Sequence, residues 1–149
     1  MHERSKRFHR EVVVATVQQF VNADHSVRLG FLAAIVLNQL ADYWAADTGQ
    51  TDKAVRLQLV AQCPVFQLVW DVADASKHCE LRSSARTIQH ADQVHGGLGG
   101  INSHALNTAP LNGAPPVEVR MNDGTFAYLV PAANQVAALW QSWFDDLPA

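Results

Sequence analysis

The sequence predicts a mainly α protein, a bundle of four to five helices with one C-terminal β-hairpin before the last helix. Three observations carry that expectation. Apolar residues recur at intervals of three and four through most of the first 86 positions. An Asp123-Gly124 pair, a strong two-residue turn signal, separates two stretches of strict apolar–polar alternation. Directly after them comes the clearest amphipathic stripe in the chain, Val136, Leu139, Trp140, Trp143, Phe144 and Leu147.

Taken in order, residues 5–22 form the first predicted helix. Phe8, Val12, Val13, Ala15, Val17, Phe20 and Val21 form its apolar side, and Asn22 or Asp24 offers a cap for the next. The second predicted helix covers residues 25–47. Leu29, Leu32, Ile35, Val36, Leu40, Tyr43 and Trp44 form a wide apolar face, and Gly49 stands where a C-terminal cap is needed. A third spans 51–62. Pro64 marks a boundary and suits the first turn of a fourth helix over 65–86. Residues 91–116 read as a Gly/Pro-rich loop, because the Gly96–Gly100 run and Pro110, Pro115 and Pro116 oppose regular structure. Residues 117–130 are the hairpin, and 131–147 the terminal helix. Two strands do not stand alone in water, so the hairpin must pack on the helices or pair with another chain's edge.

At 149 residues the chain has the length of one domain, and positions 1–149 read as a single helical unit. Apolar residues make up 48% and charged residues only 17%. A charged share below the usual quarter leaves more neutral or apolar surface and leans toward self-association. The net charge of -3 is unevenly spread. Arg4, Lys6, Arg7 and Arg10 make the first ten residues basic, while the rest is acidic. A basic arm can touch phosphates, but an acidic body does not favour broad nucleic-acid binding. Cys63 and Cys79 lack the spacing of a structural zinc site and read as buried free thiols. The start of the chain lacks the pattern of a secretory leader. The longest apolar run, Phe31 to Leu37, is too short to span a bilayer. A cytoplasmic protein without membrane contact is the expectation, and no cofactor is implied.

The segment Trp70-Asp-Val-Ala-Asp-Ala-Ser-Lys-His-Cys-Glu-Leu81 is the richest in chemistry. At 100° per residue, Asp71, Asp74 and His78 fall on one stripe that Arg82 extends, with Lys77 to one side. His25, Arg28, Gln39 and Asp42 lie along or beside the apolar stripe of the 25–47 helix. Buried polar groups need partners. If the two helices pack together, His25 and Arg28 are expected to face Asp71, Asp74 or His78, and Asp42 to meet Lys77 or Arg82. Three readings of this cluster stand side by side: an ion-pair network that sets helix register, a catalytic or ligand site, and a metal site. For the last, Asp42, Asp71, Asp74, His25 and His78 are the available ligands, although no HExxH or ExxH pair is present.

The stretch Asp71-Val-Ala-Asp74-Ala-Ser-Lys77-His78 resembles a D-x-A-[DN]-x-x-K-H helix of small helical bacterial proteins of uncharacterised function. That resemblance covers the second to fourth predicted helices. It implies a bacterial source and a shared helical core, and it brings no activity with it. The chain is also similar, more weakly, to HEPN-type helical domains, some of which are RNases using an Arg and a His four to six residues apart. Here three residues separate Arg86 from His90, and seven separate Arg82 from His90.

Three functions follow. The first is an interaction or regulatory domain acting as a homo-oligomer, supported by the low charge fraction, the hairpin edge and the tryptophan-rich last helix. The second is a small hydrolase or nuclease-like enzyme, with His78 as general acid/base, Asp74 orienting it, Lys77 and Asp71 assisting, and His25, Arg28, Asp42 and Arg82 binding. The third is RNA binding or cleavage through the basic arm and His78. The histidines flanking the glycine run (His90, His95, His104) are a lesser candidate for an ion. The run itself lacks phosphate-loop and dinucleotide-loop spacing.

Overall fold

The computed structural model describes residues 1–96 and 115–148. Its elements are α1 (Glu3–Phe8), a π-helical turn (His9–Val13), α2 (Val14–Asn22), α3 (Val27–Thr48), α4 (Asp52–Gln62), α5 (Phe66–His78), a 3-10 turn (Ala91–Gln93), β1 (Val94–His95), β2 (Glu118–Arg120), β3 (Phe126–Tyr128) and α6 (Leu129–Asp145). The mainly α bundle with a β-hairpin before the last helix is therefore present.

α1, the π turn and α2 form one continuous rod, as the apolar period requires. Four of its buried residues, Ser5, His9, Val13 and Val17, recur every fourth position, and Phe20 follows three later. The interval of four exceeds the 3.6-residue α turn, and one widened turn keeps the four in phase with the core. The rod's first turn is capped from another helix: Asp47 on α3 accepts from the Ser5 N–H at 2.9 Å and from its hydroxyl at 2.8 Å. A carboxylate there also suits the positive end of the helix dipole.

α3 is the central strut and packs against α1, α2, α4, α5 and α6. Ser26 begins it, its hydroxyl accepting from the Leu29 N–H, so the cap falls here rather than at Asn22 or Asp24. Gly49 at φ 70 closes it, as expected. By length and composition α3 would cross a membrane, but 56% of its most apolar window is buried inside the bundle. Its apolarity is accounted for by its central place. Gly30 allows close approach: a Cβ there would sit 3.0 Å from the Leu129 side chain and 3.3 Å from Phe20. Thr51 caps α4 through the Ala54 N–H.

Trp140 of α6 is fully buried, and its indole N–H donates to the Leu37 carbonyl at 3.1 Å. Around it gather Trp44, Trp143 and Phe144. Trp143 donates to Gln62 at 2.8 Å, tying α6 to the end of α4. The tryptophan stripe of the last helix is thus a core feature.

Several expectations are corrected. The fourth predicted helix does not run to residue 86. α5 ends at His78, because Cys79 takes φ 60 and the chain turns back, Glu80 bridging to His90 and the Leu81 N–H bonding to Gln89. Cys79 is consequently exposed and Cys63 only half-buried. Residues 91–95 are structured, and β1 adds a third strand, giving an antiparallel order β1-β2-β3. The rest of the predicted loop, Gly97 to Ala114, lies outside the described residues, and with it His104 and most of the glycine run. The hairpin turn is longer than two residues: Met121 pairs with Thr125 around Asn122, Asp123 and Gly124, with Gly124 at φ 85. The terminal helix begins at Leu129, and Pro131 sits in its first turn, where the missing N–H costs nothing.

Candidate functional site

Asp71 is fully buried, and four donors meet its carboxylate. Oδ1 accepts from Gln67 Nε2 and from Arg86 Nη1, each at 2.8 Å. Oδ2 accepts from the Thr87 N–H at 2.6 Å and its hydroxyl at 2.7 Å. Arg86 also reaches Asp74 Oδ2 at 3.0 Å. Burial works against the Arg86 charge, but the Asp71 hydrogen bond and charge, together with Asp74, outweigh it and push its pKa above the ordinary value. Asp71 is thereby a latch that fastens the post-helix segment to α5.

A second arginine repeats the theme. Arg56 of α4 is 7% exposed. Its Nε donates to Asn38 Oδ1 at 2.9 Å, Nη1 to Asp52 at 2.9 Å and Nη2 to Asp42 at 2.8 Å. Each arginine is therefore held between two aspartates, and both guanidiniums approach the Trp70 ring, Arg56 at 5.6 Å and Arg86 at 5.1 Å from its centroid. Trp70 joins the two networks.

Between α3, α4 and α5 lies an open groove of about 460 Å³, lined by Ile35, Asn38, Gln39, Asp42 and Arg56 together with Ala73, Asp74, Ser76 and Lys77. This volume is within the range of small-molecule sites. Asn38 is only 9% exposed, yet its amide nitrogen has no acceptor among the described residues.

The predicted site residues separate into two groups. Asp42, Asp74 and Lys77 line this one groove, but no hydrogen bond or ion pair joins their helices among the described residues. Asp42 is bonded to Arg56, neither to Lys77 nor to Arg82. Asp71 is sealed by its four donors and does not line the groove. His78 and Lys77 are exposed at the end of α5, and the Asp74 carboxylate turns to Arg86. His25 and Arg28 are exposed, and the one ion-pair partner of His25 among the described residues is its neighbour Asp24 at 3.9 Å. Arg82 lies beyond the helix and is exposed, so it does not extend the α5 stripe. Among the described residues no three His, Cys, Asp or Glu side chains gather as metal ligands. In the basic arm, Arg7 and Arg10 both pair with Glu11 and hold its carboxyl below the usual range.

Asn38, Arg56 and Arg86 were not singled out as partners from the sequence. Asn38 carries a signal, a polar residue on the buried side of an apolar helix. Asp52 and Arg56, four apart, carry another. Nothing local marks Arg86 as the partner of Asp71. Compared with protein-family models, with curated proteins and with solved structures, the chain finds no match.

Proposed function

We propose that this chain is a regulatory binding domain that takes up a small polar molecule in the groove between α3, α4 and α5. The observation that carries the reading is the pairing of Asn38 and Arg56. Both are more than nine-tenths buried, yet both line an open groove and keep N–H donors without an acceptor among the described residues. The side chains are largely buried but these donors open onto the groove, where a ligand oxygen can take the place of solvent. Binding is favoured over the enzymatic reading because among the described residues no histidine or cysteine lines the groove, and Ser76 donates to the Ala73 carbonyl at 2.6 Å instead of to a base. The test is thermal unfolding with a panel of small polar compounds at millimolar concentration. Gln39→Trp, at the exposed edge, serves as a variant with the groove blocked. A rise in Tm for the native chain and none for the variant is the expected result. No rise with any compound refutes the reading, and chemical conversion of a bound compound, followed by mass spectrometry, favours the enzyme.

Self-association has its own observation. Among the described residues β3 is the end strand of the sheet. Met121 N–H bonds to Thr125 and Leu129 N–H to Val117, so the intervening bonded pair is Val119 with Ala127. The alternation of an antiparallel ladder then turns the N–H groups of Phe126 and Tyr128 away from β2, toward the free edge. Both side chains are exposed, 57% and 44%, and pack edge-on against each other at 5.7 Å. A second copy joined edge to edge would answer these donors and cover the rings. One short strand edge and two rings are a small contact beside the roughly 800 Å² per partner of a stable dimer, so the association is expected to be weak and concentration-dependent. Light scattering across the micromolar range tests it. A strict monomer, or oligomers unaffected by Phe126→Ser, counts against it.

A further inference from the structure

We infer that the ligand of the α3/α4/α5 groove is a small zwitterion, an α-amino acid with a short apolar side chain. The inference rests on the ligand-binding reading above and deepens it. Its basis is the arrangement of unused donors and acceptors around the groove. Asn38 Oδ1 is taken by Arg56, which leaves its NH₂ group with both hydrogens unbonded among the described residues. Arg56 makes one bond from each terminal nitrogen, so each keeps one N–H. These groups open onto the groove and can only donate, which suits a carboxylate or carbonyl oxygen.

The carboxylates of the groove present the opposite demand. Asp42 gives Oδ1 to Arg56 and Asp74 gives Oδ2 to Arg86, and among the described residues no side chain donates to the other oxygen of either. A carboxylate with an open oxygen wants a cationic donor. Lys77, exposed on the same groove, brings the lining to two negative and two positive charges.

A ligand of one charge answers only half of this. A simple anion satisfies Asn38 and Arg56 but meets Asp42 and Asp74. A simple cation satisfies the aspartates but meets Arg56 and Lys77, and leaves the donors of Asn38 unanswered. A molecule with a carboxylate and an ammonium a few bonds apart, and no net charge, answers both. Ile35 and Ala73 add an apolar stretch of wall that suits a short aliphatic side chain.

Isothermal titration of the whole chain with L-alanine, propionate, ethylamine and glycerol separates these cases. Propionate lacks the ammonium of alanine, ethylamine lacks its carboxylate, and glycerol carries neither charge. L-Alanine is expected to bind at least ten-fold more tightly than the other three. Asp42→Asn and Lys77→Met, both at exposed positions, are expected to weaken it about ten-fold each, and Gln39→Trp to abolish it. Equal or tighter binding of propionate, ethylamine or glycerol, lost in Gln39→Trp, overturns the zwitterion while leaving the groove a binding site. Binding of alanine that Gln39→Trp does not change, or no binding by any probe, overturns both.

Discussion

Arg86 reaches back to Asp71 at 2.8 Å although they are fifteen positions apart in the sequence. On a continuous α-helix that separation would be about 22 Å along the axis, so the bond exists only because the chain reverses after α5. Four hydrogen bonds on a fully buried carboxylate make this the tightest polar junction in the described structure. Asp71→Ala removes the acceptor and strands Thr87 and Arg86. Breaking one side of a buried ion pair costs about 3–5 kcal/mol. Urea unfolding is expected to show a loss of that order. Protease cleavage after Arg82 or Arg86 is expected to accelerate, since the 80–88 segment loses its anchor. A loss below 1 kcal/mol, on the order of an exposed pair, would contradict the latch.

Arg56 ranks second. Its substitution by Met leaves Asn38 Oδ1 buried without a donor, whereas Asp42 and Asp52 stay hydrated, their side chains being 49% and 65% exposed. The expected cost is therefore about 1–3 kcal/mol, set by the stranded amide oxygen. Asp42→Ala, which removes only an exposed partner, is expected to cost about 0–1 kcal/mol. Lysine at position 56 is not an equivalent replacement, because a single ammonium lacks the planar fork that meets three acceptors on two helices. Denaturant unfolding of the three variants gives the order Asp71→Ala, Arg56→Met, Asp42→Ala from most to least destabilised. If Arg56→Met and Asp42→Ala match, the Asn38–Arg56 bond carries no weight.

These two arginines also mark where local sequence stops being informative. The α3 stripe, the Gly49 cap and the amphipathic last helix were legible because period and capping chemistry are local. The end of α5 was not. Residues 79–86 contain neither glycine nor proline, and their propensities suit a helix. What ends the helix is tertiary, the capture of Thr87 and Arg86 by Asp71. The same holds for the groove. Asp42, Asp74 and Lys77 stood out as charges near apolar stripes, but Arg56 looked like an ordinary surface residue of the 51–62 helix. Only its approach to Asn38 and Asp42 on α3, and the Trp70 ring between it and Arg86, makes it central.

The π turn carries a prediction about pH. It turns His9 inward, where the imidazole is 9% exposed and lies 4.7 Å from the Phe144 ring. Burial lowers its pKa below the ordinary value, and the nearby Asp145 charge offsets part of that shift. The folded state thus prefers the neutral ring, while the unfolded chain takes up a proton at higher pH. The stabilising contribution of a neutral His9 is complete above the unfolded pKa, about 6.5, and is lost as pH falls through it toward the folded value. For one group the slope does not exceed about 1.4 kcal/mol per pH unit. The native chain is therefore expected to lose more stability between pH 7.5 and 5.5 than His9→Leu, which keeps an apolar side chain against Phe144 and has no proton to bind. The other ionisable groups are common to both proteins, so the difference between the curves reports on position 9 and its contact with Asp145. Urea unfolding at four or five pH values measures it. Parallel curves, or a steeper fall in His9→Leu, would show that Asp145 and solvent keep His9 as easily protonated in the fold as outside it.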